Sequence, residues 1–320
     1  MTTKSGIRVI ALEEHYWDKE VATHFDSPEG RPGPLRDRLD DLGALRIKEM
    51  DSAGIDVQVL SQGAPGTHRM DAGLAVPLAR RANDRLAETV RAHPTRFAGF
   101  ATLPAVDPQA AADELERTVT QHGFKGAMVH GLTQGEFIDL KKYWPIFARA
   151  QALDVPIYVH PAIPHKAVVD AYYKDYLQDF PYILTAGWGF TVETATQCIR
   201  LVLSGMFEEY PRLKILVGHM GEGLPFLLWR ISQALSREGK KTRPVREIFR
   251  EHFWITTSGN FSTAALLCSM MEMGSDRILF SVDYPFVENA PGTAWMEHVP
   301  IATEDYKKIM SGNAERLLKM

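Results

Sequence analysis

The chain has few cysteines and no long apolar run. Its 320 residues include two cysteines, Cys198 and Cys268, which are far apart in the sequence. This spacing argues against a disulfide framework and against a cysteine-rich zinc cluster. No run approaches the roughly 18 apolar residues that a membrane span needs, and residues 1–7 lack the apolar core of a signal peptide. We therefore expect a cytoplasmic protein without a membrane partner.

The chain also lacks an excess of positive charge. Lysine and arginine together number 36 against 40 aspartates and glutamates, which gives a net charge of -4 and an isoelectric point of about 6.3. This balance predicts no basic surface, so nucleic acid is not an expected partner. Hydrophobic residues make up 45% of the chain, which is enough for the packed core of a globular protein.

Motifs of three common enzyme classes are missing. No glycine-rich phosphate turn follows the first predicted strand, which disfavours a doubly wound nucleotide-binding sheet. The chain has neither a serine nucleophile elbow nor a lysine motif for a Schiff base. Covalent catalysis and pyridoxal phosphate are therefore not indicated, and we expect no organic cofactor.

Short apolar runs alternate with helical patterns along the whole chain. Eight runs predict buried parallel strands, at residues 8–15, 56–62, 97–104, 126–131, 156–161, 214–220, 253–259 and 278–285. Helical patterns follow at residues 42–53, 75–92, 108–122, 144–153, 192–209, 223–236, 263–273 and 303–318. Eight strand–helix units predict an α/β fold, the (β/α)8 TIM barrel, with residues 1–320 as a single domain. Longer stretches at residues 24–37 and 161–190 follow strands one and five, and we expect them to be loop insertions over the C-terminal face.

The first predicted strand ends with a carboxylate and an imidazole two residues apart. Side chains alternate along a strand, so Glu13 and His15 point to the same face. An unpaired charge inside a barrel is very costly, and a metal ion would explain both residues. The alternative is that His15 is an ordinary histidine at a strand end and that Glu13 pairs with a buried arginine.

Three later strands also end in residues that can bind a metal. His160 ends strand five, His219 ends strand six and Asp283 lies near the end of strand eight. These ends converge at the C-terminal rim of a barrel, where they meet Glu13 and His15. Two carboxylates with two or three imidazoles suit Zn²⁺, Mn²⁺ or Fe²⁺, and contain too much nitrogen for a Ca²⁺ site.

A family resemblance rests on motifs that occur in order along nearly the whole chain. They read ALEEH at residues 11–15, DVP at 154–156, HP at 160–161, GHMGEGLP at 218–225, WRI at 229–231, ITTSGNF at 255–261, DRILFS at 276–281 and DYPF at 283–286. With these motifs the chain resembles the amidohydrolase superfamily, and within it the branch of aminocarboxymuconate semialdehyde decarboxylase. The likeness is strongest to the γ-resorcylate (2,6-dihydroxybenzoate) decarboxylases.

This resemblance implies a site with one metal ion. Its ligands would be Glu13, His15, His160 and Asp283, with His219 beside the metal. Many amidohydrolases carry His-x-His on strand one, where this chain has a glutamate in the first place. Members with two metals use a bridging lysine on strand four, whereas the end of strand four, residues 126–130, has none. We expect one divalent ion, Mn²⁺ or Zn²⁺.

The implied reaction is a non-oxidative and reversible decarboxylation of a small aromatic acid with a hydroxyl ortho to its carboxylate. Asp283 is the expected proton donor to the ring carbon, and His219 would orient Asp283 or assist the proton transfer. Arg230 would either reach a substrate oxygen or form a buried, bracing ion pair with Glu222.

Phe286 and Trp188 are candidate walls for the substrate ring, with ordinary loop burial as the alternative for each. Two other functions stay open. The same metal could activate water in a hydrolase of a lactone or cyclic amide, or the barrel could bind a ligand without catalysis. The resemblance also suggests a homodimer or homotetramer with the later helices at the contacts.

Overall fold

The computed structural model describes residues 6–25, 32–235 and 243–320. The loop expected at residues 24–37 and the end of the helix expected at 223–236 therefore lie partly outside the described residues. Nine strands occur in the described ranges. They are β1 Ile10–Tyr16, β2 Val57–Gln62, β3 Phe97–Gly99, β4 Ala101–Thr102, β5 Ala127–His130, β6 Ile157–His160, β7 Ile215–Val217, β8 Phe253–Thr256 and β9 Ile278–Leu279.

The strands follow one another in chain order, and every pair is parallel. One run joins β1, β2 and β3, and a second joins β4 through β9. Leu12 in β1 bridges Ser281 just after β9, which links the two ends of the series. The fold is the (β/α)8 barrel that the alternation of elements predicts.

The prediction of one strand at residues 97–104 is wrong, because these residues form two short strands. The chain divides into β3 and β4 at Phe100. The amide of Phe100 donates to the carbonyl of Leu60 on one side, and the amide of Ala101 donates to the carbonyl of Gly126 on the other. The two halves therefore pair with different neighbours, and the strand numbers after this point exceed those of the sequence prediction by one.

Helices cover the outside of the barrel. Those of ten or more residues are Ala44–Ala53, Ala72–Ala92, Pro108–His122, Trp144–Leu153, Gly189–Leu203, Leu224–Leu235, Thr263–Met273 and Asn289–His298. Shorter α-helices are Lys19–Ala22, Pro34–Asp40, Lys166–Val168, Met206–Glu209, His219–Glu222, Val245–His252, Thr303–Lys307 and Asn313–Leu318. Single turns of 3₁₀- or π-helix occur at Lys141–Tyr143, Val169–Tyr173, Lys174–Tyr176, Pro181–Leu184, Ser275–Arg277 and Lys308–Gly312.

The helix Pro108–His122 has the bounds that the sequence predicts, because both of its ends are marked by capping residues. Asp107 accepts a hydrogen bond from the amide of Ala110 at the N-terminus, and Gly123 adopts the left-handed conformation, with φ 72°, at the C-terminus. Trp144–Leu153 and Thr263–Met273 also have their predicted bounds.

Two predicted helices are interrupted. The pattern at residues 192–209 forms Gly189–Leu203 and Met206–Glu209, because Gly205 has a φ of 84° between them. The pattern at residues 303–318 contains a π-helical turn at Lys308–Gly312. The helices Val245–His252 and Asn289–His298 were not predicted from the sequence.

The barrel interior and the layer between strands and helices form separate apolar clusters. Along β6, Ile157 and Val159 pack in the outer cluster, whereas Tyr158 packs in the inner one. This alternation directs Tyr158 and His160 into the barrel. Cys198 and Cys268 are not in a disulfide. No helix within residues 6–25, 32–235 and 243–320 has both the length and the apolar character that a membrane span requires.

Candidate metal centre

Four side chains from three strands meet at the C-terminal rim of the barrel. Glu13 and His15 come from β1, His160 ends β6, and Asp283 follows β9. Each offers one possible ligand atom, and these atoms all lie within 4.8 Å of one another. The structure thus brings together the four residues for which the sequence predicts a metal-binding role.

A β-bulge in β1 places the first of these residues. Ala11 pairs with Gln58 and Glu14 pairs with Leu60, so two residues of β1 lie opposite one residue of β2. Glu13 is the second of the two, and its φ is 60°. The bulge changes the direction of the Glu13 side chain at the point where the strand reaches the rim.

Backbone strain is concentrated in the same place. Glu13, His219 and Asp283 have φ values of 60°, 50° and 75°. A non-glycine residue in this left-handed region costs on the order of 1–3 kcal/mol. Such strain persists where the surrounding structure holds a functional geometry, which agrees with the placement of these three side chains around one centre.

The carboxylate of Glu13 is divided between two environments. Its Oε2 accepts hydrogen bonds from the hydroxyls of Tyr158, Ser258 and Thr256. Its Oε1 is buried, lies 3.3 Å from Nε2 of His160, and has no hydrogen-bond partner. Burial raises the pKa of Glu13. One oxygen is therefore fixed by the protein, and the other is left for a ligand.

The two histidines are oriented by their outer nitrogens. Nδ1 of His15 lies 3.2 Å from Oγ of Ser61, and Nδ1 of His160 lies 2.7 Å from the carbonyl of Pro161. Both Nε2 atoms therefore face the centre. Nε2 of His15 lies 3.2 Å from Oδ1 of Asp283, yet it is buried without a hydrogen bond. Burial lowers the pKa of His160 well below its usual value, so this imidazole is neutral, as a metal ligand must be.

These donors fit a divalent metal ion. Oε1 of Glu13 and Nε2 of His15 are buried polar atoms without partners, and such atoms are rare and costly. A cation at the centre would satisfy both atoms, and the two carboxylates would balance its charge. Mixed nitrogen and oxygen donors suit Mn²⁺ or Zn²⁺.

His219 stands beside the four residues rather than among them. Its Nδ1 lies 2.7 Å from Oε1 of Glu222, and its Nε2 lies 3.7 Å from Oδ2 of Asp283 and 3.8 Å from Oε1 of Glu13. Burial alone would lower the pKa of His219, but the carboxylates of Glu222 and Glu13 raise it well above its usual value. Glu222 is held in turn by the hydroxyl of Thr191.

Asp283 carries a negative charge in this environment. Burial alone would raise its pKa, but the imidazoles of His15 and His219 outweigh burial and hold the pKa of Asp283 below its usual range. The centre therefore pairs an ionised carboxylate with a cationic imidazole, which is an arrangement suited to moving a proton.

The sequence matches a known protein family. A family model described as "Amidohydrolase" matches residues 13–320. The chain belongs to this amidohydrolase family. The γ-resorcylate decarboxylase of Polaromonas sp. is 42% identical in an alignment 327 positions long, which covers 97% of this chain and 98% of the relative. The resemblance inferred from the motifs is thereby confirmed.

Solved structures of decarboxylases share the fold. The dihydroxybenzoic acid decarboxylase of Polaromonas sp., with bound manganese and the inhibitor 2-nitroresorcinol, superposes with a TM-score of 0.91 at 42% identity, over 98% of this chain and 97% of that one. The 5-carboxyvanillate decarboxylase of Sphingomonas paucimobilis has a TM-score of 0.90 at 35% identity, over 98% and 99%. Both superpositions span the whole barrel.

Of the three predicted substrate-binding residues in this amidohydrolase, one lies at the centre. Phe286 packs edge-to-face on His15, with ring centroids 5.7 Å apart, and is 42% exposed. Trp188 and Arg230 are exposed, and within the described residues neither makes a hydrogen bond, an ion pair or a ring contact with the four convergent residues. The predicted bracing pair of Arg230 with Glu222 is also not formed there, because Arg230 is exposed whereas Glu222 is buried against Thr191 and His219.

The hydroxyl groups that surround Glu13 were not predicted from the sequence. Tyr158, Thr256 and Ser258 all hold its carboxylate. Tyr158 carries a usable signal, since it precedes His160 by two residues on one strand and so faces the same side. Thr256 and Ser258 have the same spacing relative to each other.

Glu14 is a second buried carboxylate that the sequence did not distinguish. It accepts hydrogen bonds from the amides of Val282 and Tyr284, at 2.9 and 3.1 Å. Burial raises its pKa to about 8, although these amides and the nearby Arg46 act in the opposite direction. Within the described residues Glu13 forms no ion pair with a buried arginine, and Glu14 serves to tie β1 to the segment that carries Asp283.

Proposed function

We propose that this amidohydrolase catalyses the metal-dependent, non-oxidative decarboxylation of an aromatic acid with a hydroxyl ortho to its carboxylate. The observation that carries the proposal is the convergence of Glu13, His15, His160 and Asp283 around buried atoms that lack partners. The preferred substrate is 2,6-dihydroxybenzoate, the acid after which the Polaromonas relative is named. The enzyme would be a carbon–carbon lyase, and the reaction would also run in reverse.

The four convergent side chains would hold one divalent ion. Mn²⁺ is preferred to Zn²⁺ because the Polaromonas structure contains manganese. When bound, the ion would supply Lewis-acid chemistry that binds and polarises the oxygens of the ortho-hydroxy acid. Glu13 and His160 would serve as ligands only, since one oxygen of Glu13 is held by three hydroxyls and burial keeps the pKa of His160 well below its usual value.

Asp283 would transfer the proton. Because it is ionised in the resting site, it takes the proton of the ortho hydroxyl as the acid binds. It then gives this proton to the ring carbon that bears the carboxylate, which breaks the aromaticity of the ring. The electron pair of the C–C bond returns to the ring as CO₂ leaves, and the phenolate regains a proton from water. A positioned acid of this kind contributes a factor of about 10²–10⁴ to the rate.

His219 would control the proton on Asp283. Its cationic ring is held by Glu222, and its Nε2 lies 3.7 Å from Oδ2 of Asp283. The positive charge would stabilise the ionised carboxylate of Asp283 before it takes the proton and after it gives the proton up. Phe286 would form one wall for the substrate ring, because it packs on His15 and is itself partly exposed. Arg230 and Trp188 stay predicted substrate contacts.

We further propose a cytoplasmic homodimer or homotetramer built from one domain, residues 1–320. Large apolar side chains lie exposed on two helices, among them Phe226 and Trp229 on Leu224–Leu235 and Met271 on Thr263–Met273. Exposed apolar clusters of this kind usually mark protein–protein contacts. These are later helices of the chain, as expected for the contacts between subunits.

A comparison of two isomeric acids tests the proposed activity. The Mn²⁺-loaded protein is incubated with 2,6-dihydroxybenzoate and with 3,5-dihydroxybenzoate, and released CO₂ is measured. The first acid should be consumed with release of CO₂, while the second, which has no ortho hydroxyl, should persist. Hydrolysis of a lactone or cyclic amide, without turnover of any ortho-hydroxy acid, would show that the protein is a hydrolase.

A further inference from the structure

A second histidine lies directly behind the proposed ligand His160. His130 ends β5, and His130 and His160 are paired in register across the two strands. The ring centroids are 5.0 Å apart, and the two Nδ1 atoms are 3.2 Å apart. Both side chains are buried. The predicted metal ligands do not include His130, and the mechanism does not use it.

The hydrogen-bond partners define the tautomer of each ring. The carbonyl of Pro161, 2.7 Å from Nδ1 of His160, can only accept, so this nitrogen carries the hydrogen. The N–H of His160 then makes a bifurcated hydrogen bond, with Nδ1 of His130 as its second acceptor. Nδ1 of His130 therefore carries no hydrogen, and the hydrogen of this ring is on Nε2. A proton on Nδ1 of both rings would put two N–H groups against each other.

The surroundings hold the ring of His130 in place. The amide of His130 donates to Nε2 of His68, whose ring packs edge-to-face on His130 with centroids 5.6 Å apart. A Cβ at Gly66 would lie 3.1 Å from Cδ2 of His130. At Gly131, a Cβ would lie 2.6 Å from Cβ of Ala162, so the ends of β5 and β6 approach closely.

Packing alone does not explain an imidazole at this position. Nε2 of His130 is buried without a well-formed hydrogen bond, although the carbonyl of Gln62 faces the ring. A leucine would fill similar space without the cost of burying a polar group. The ring nitrogen of His130 that has a hydrogen-bond partner is Nδ1, and this partner is Nδ1 of His160.

We propose that His130 is a positioning residue that holds the His160 imidazole with Nε2 directed at the metal centre, and thereby sets the affinity for the divalent ion. This role rests on the metal site proposed above. Groups that orient a metal-bound histidine through its second nitrogen typically change metal affinity by about 10–100-fold.

Three variants and a metal titration test this role. Titration calorimetry with Mn²⁺ alone is applied to the metal-free wild type, His130→Leu, His130→Asn and His252→Leu. In His130→Asn the amide oxygen of the new side chain can replace Nδ1 as the acceptor. His252 is a matched control, because it is also buried and hydrogen-bonded to a carbonyl, that of Leu213, but packs on Phe207 away from the centre.

The role predicts a dissociation constant for His130→Leu that is about 10–100-fold higher than for the wild type. His130→Asn should recover most of the affinity, and His252→Leu should bind as the wild type does. In ¹⁵N-histidine-labelled protein, His160 should keep its hydrogen on Nδ1 in His130→Leu, because the carbonyl of Pro161 still accepts it, but its Nδ1 resonance should move because the second acceptor is lost. Unchanged Mn²⁺ affinity in His130→Leu would overturn the positioning role alone, whereas a wild type that binds no Mn²⁺ would refute the proposed metal site as well.

Discussion

Nδ1 of His219 lies 2.7 Å from Oε1 of Glu222, and this contact turns Nε2 of the imidazole toward Asp283. The carboxylate of Glu222 is a main cause of the raised pKa of His219. In Glu222→Gln the acceptor oxygen stays but the charge is lost, so the pKa of His219 falls. We expect a lower kcat and a descending limb of the kcat profile that moves to lower pH, with Mn²⁺ affinity little changed.

The pH profile of kcat for Glu222→Gln checks this expectation. The sign follows from the raised pKa: His219 stays protonated to higher pH in the wild type than in the variant. Substitution of the exposed Glu208 by glutamine is the control and should leave the profile unchanged. A Glu222→Gln profile that coincides with the wild type would contradict the role of this pair.

Asp283 should be needed for the chemical step more than for protein stability. In Asp283→Asn the side chain keeps its shape and one oxygen, but it cannot carry the proton to the ring. We expect kcat to fall by about 10²–10⁴-fold. Turnover of 2,6-dihydroxybenzoate and metal content by elemental analysis are measured together. Asp276→Asn, an exposed change in the same segment, should have no effect, and a fully active, metal-loaded Asp283→Asn would refute the assignment.

Glycine should be required at position 218 because a larger side chain would collide with Glu13, and not because of the backbone conformation there. Its φ of -73° and ψ of -174° suit any residue, but a Cβ there would lie 2.6 Å from Oε2 of Glu13. In Gly218→Ala we expect Glu13 to be displaced and the Mn²⁺ dissociation constant to rise by about tenfold or more. Gly312→Ala is the matched control, since Gly312 is helical and the nearest atom to its Cβ, the carbonyl oxygen of Lys307, is 3.6 Å away. Equal Mn²⁺ binding by both variants would contradict the steric argument.

Removal of the metal should destabilise the fold. An ion that binds only the native state stabilises it by about 2.7 kcal/mol at a free concentration of 100 Kd. We expect thermal denaturation to occur at a lower temperature after chelation and to be restored by added Mn²⁺. In Glu13→Gln, which weakens a ligand, the difference between the two conditions should shrink. Identical melting of chelated and Mn²⁺-loaded wild type would argue against a bound ion.

The convergence of Glu13, His15, His160 and Asp283 was predictable because each lies at or near the C-terminal end of a predicted barrel strand. Glu13 and His15 share a face through strand alternation, and His160 and Asp283 end apolar runs that could be assigned to strands. Parallel strands bring their C-terminal ends to one rim, so residues far apart in the sequence could be expected to meet. The same reasoning placed His219 nearby.

The details around the ligands were not predictable from local patterns. The bulge that directs Glu13 depends on its register with β2, which no single strand reveals. Tyr158 and Ser258 look like ordinary members of strand motifs until their distance from Glu13 is known. Of the two alternatives predicted for Arg230, the buried pair with Glu222 is not formed because the helix Leu224–Leu235 leaves Arg230 exposed, and the substrate contact stays a prediction.

In the proposed mechanism, a metal-dependent transfer of one proton to the ring accompanies the loss of CO₂. The most direct measurement uses 2,6-dihydroxybenzoate labelled with ¹³C in the carboxyl group, incubated in D₂O with Mn²⁺-loaded and metal-free protein and followed by NMR. The proposed mechanism predicts labelled CO₂ or bicarbonate and resorcinol with one deuterium at C2, in equal amounts, with the loaded protein only. Equal rates without metal, or persistence of the labelled acid with loaded protein that turns over a lactone or cyclic amide, would contradict it.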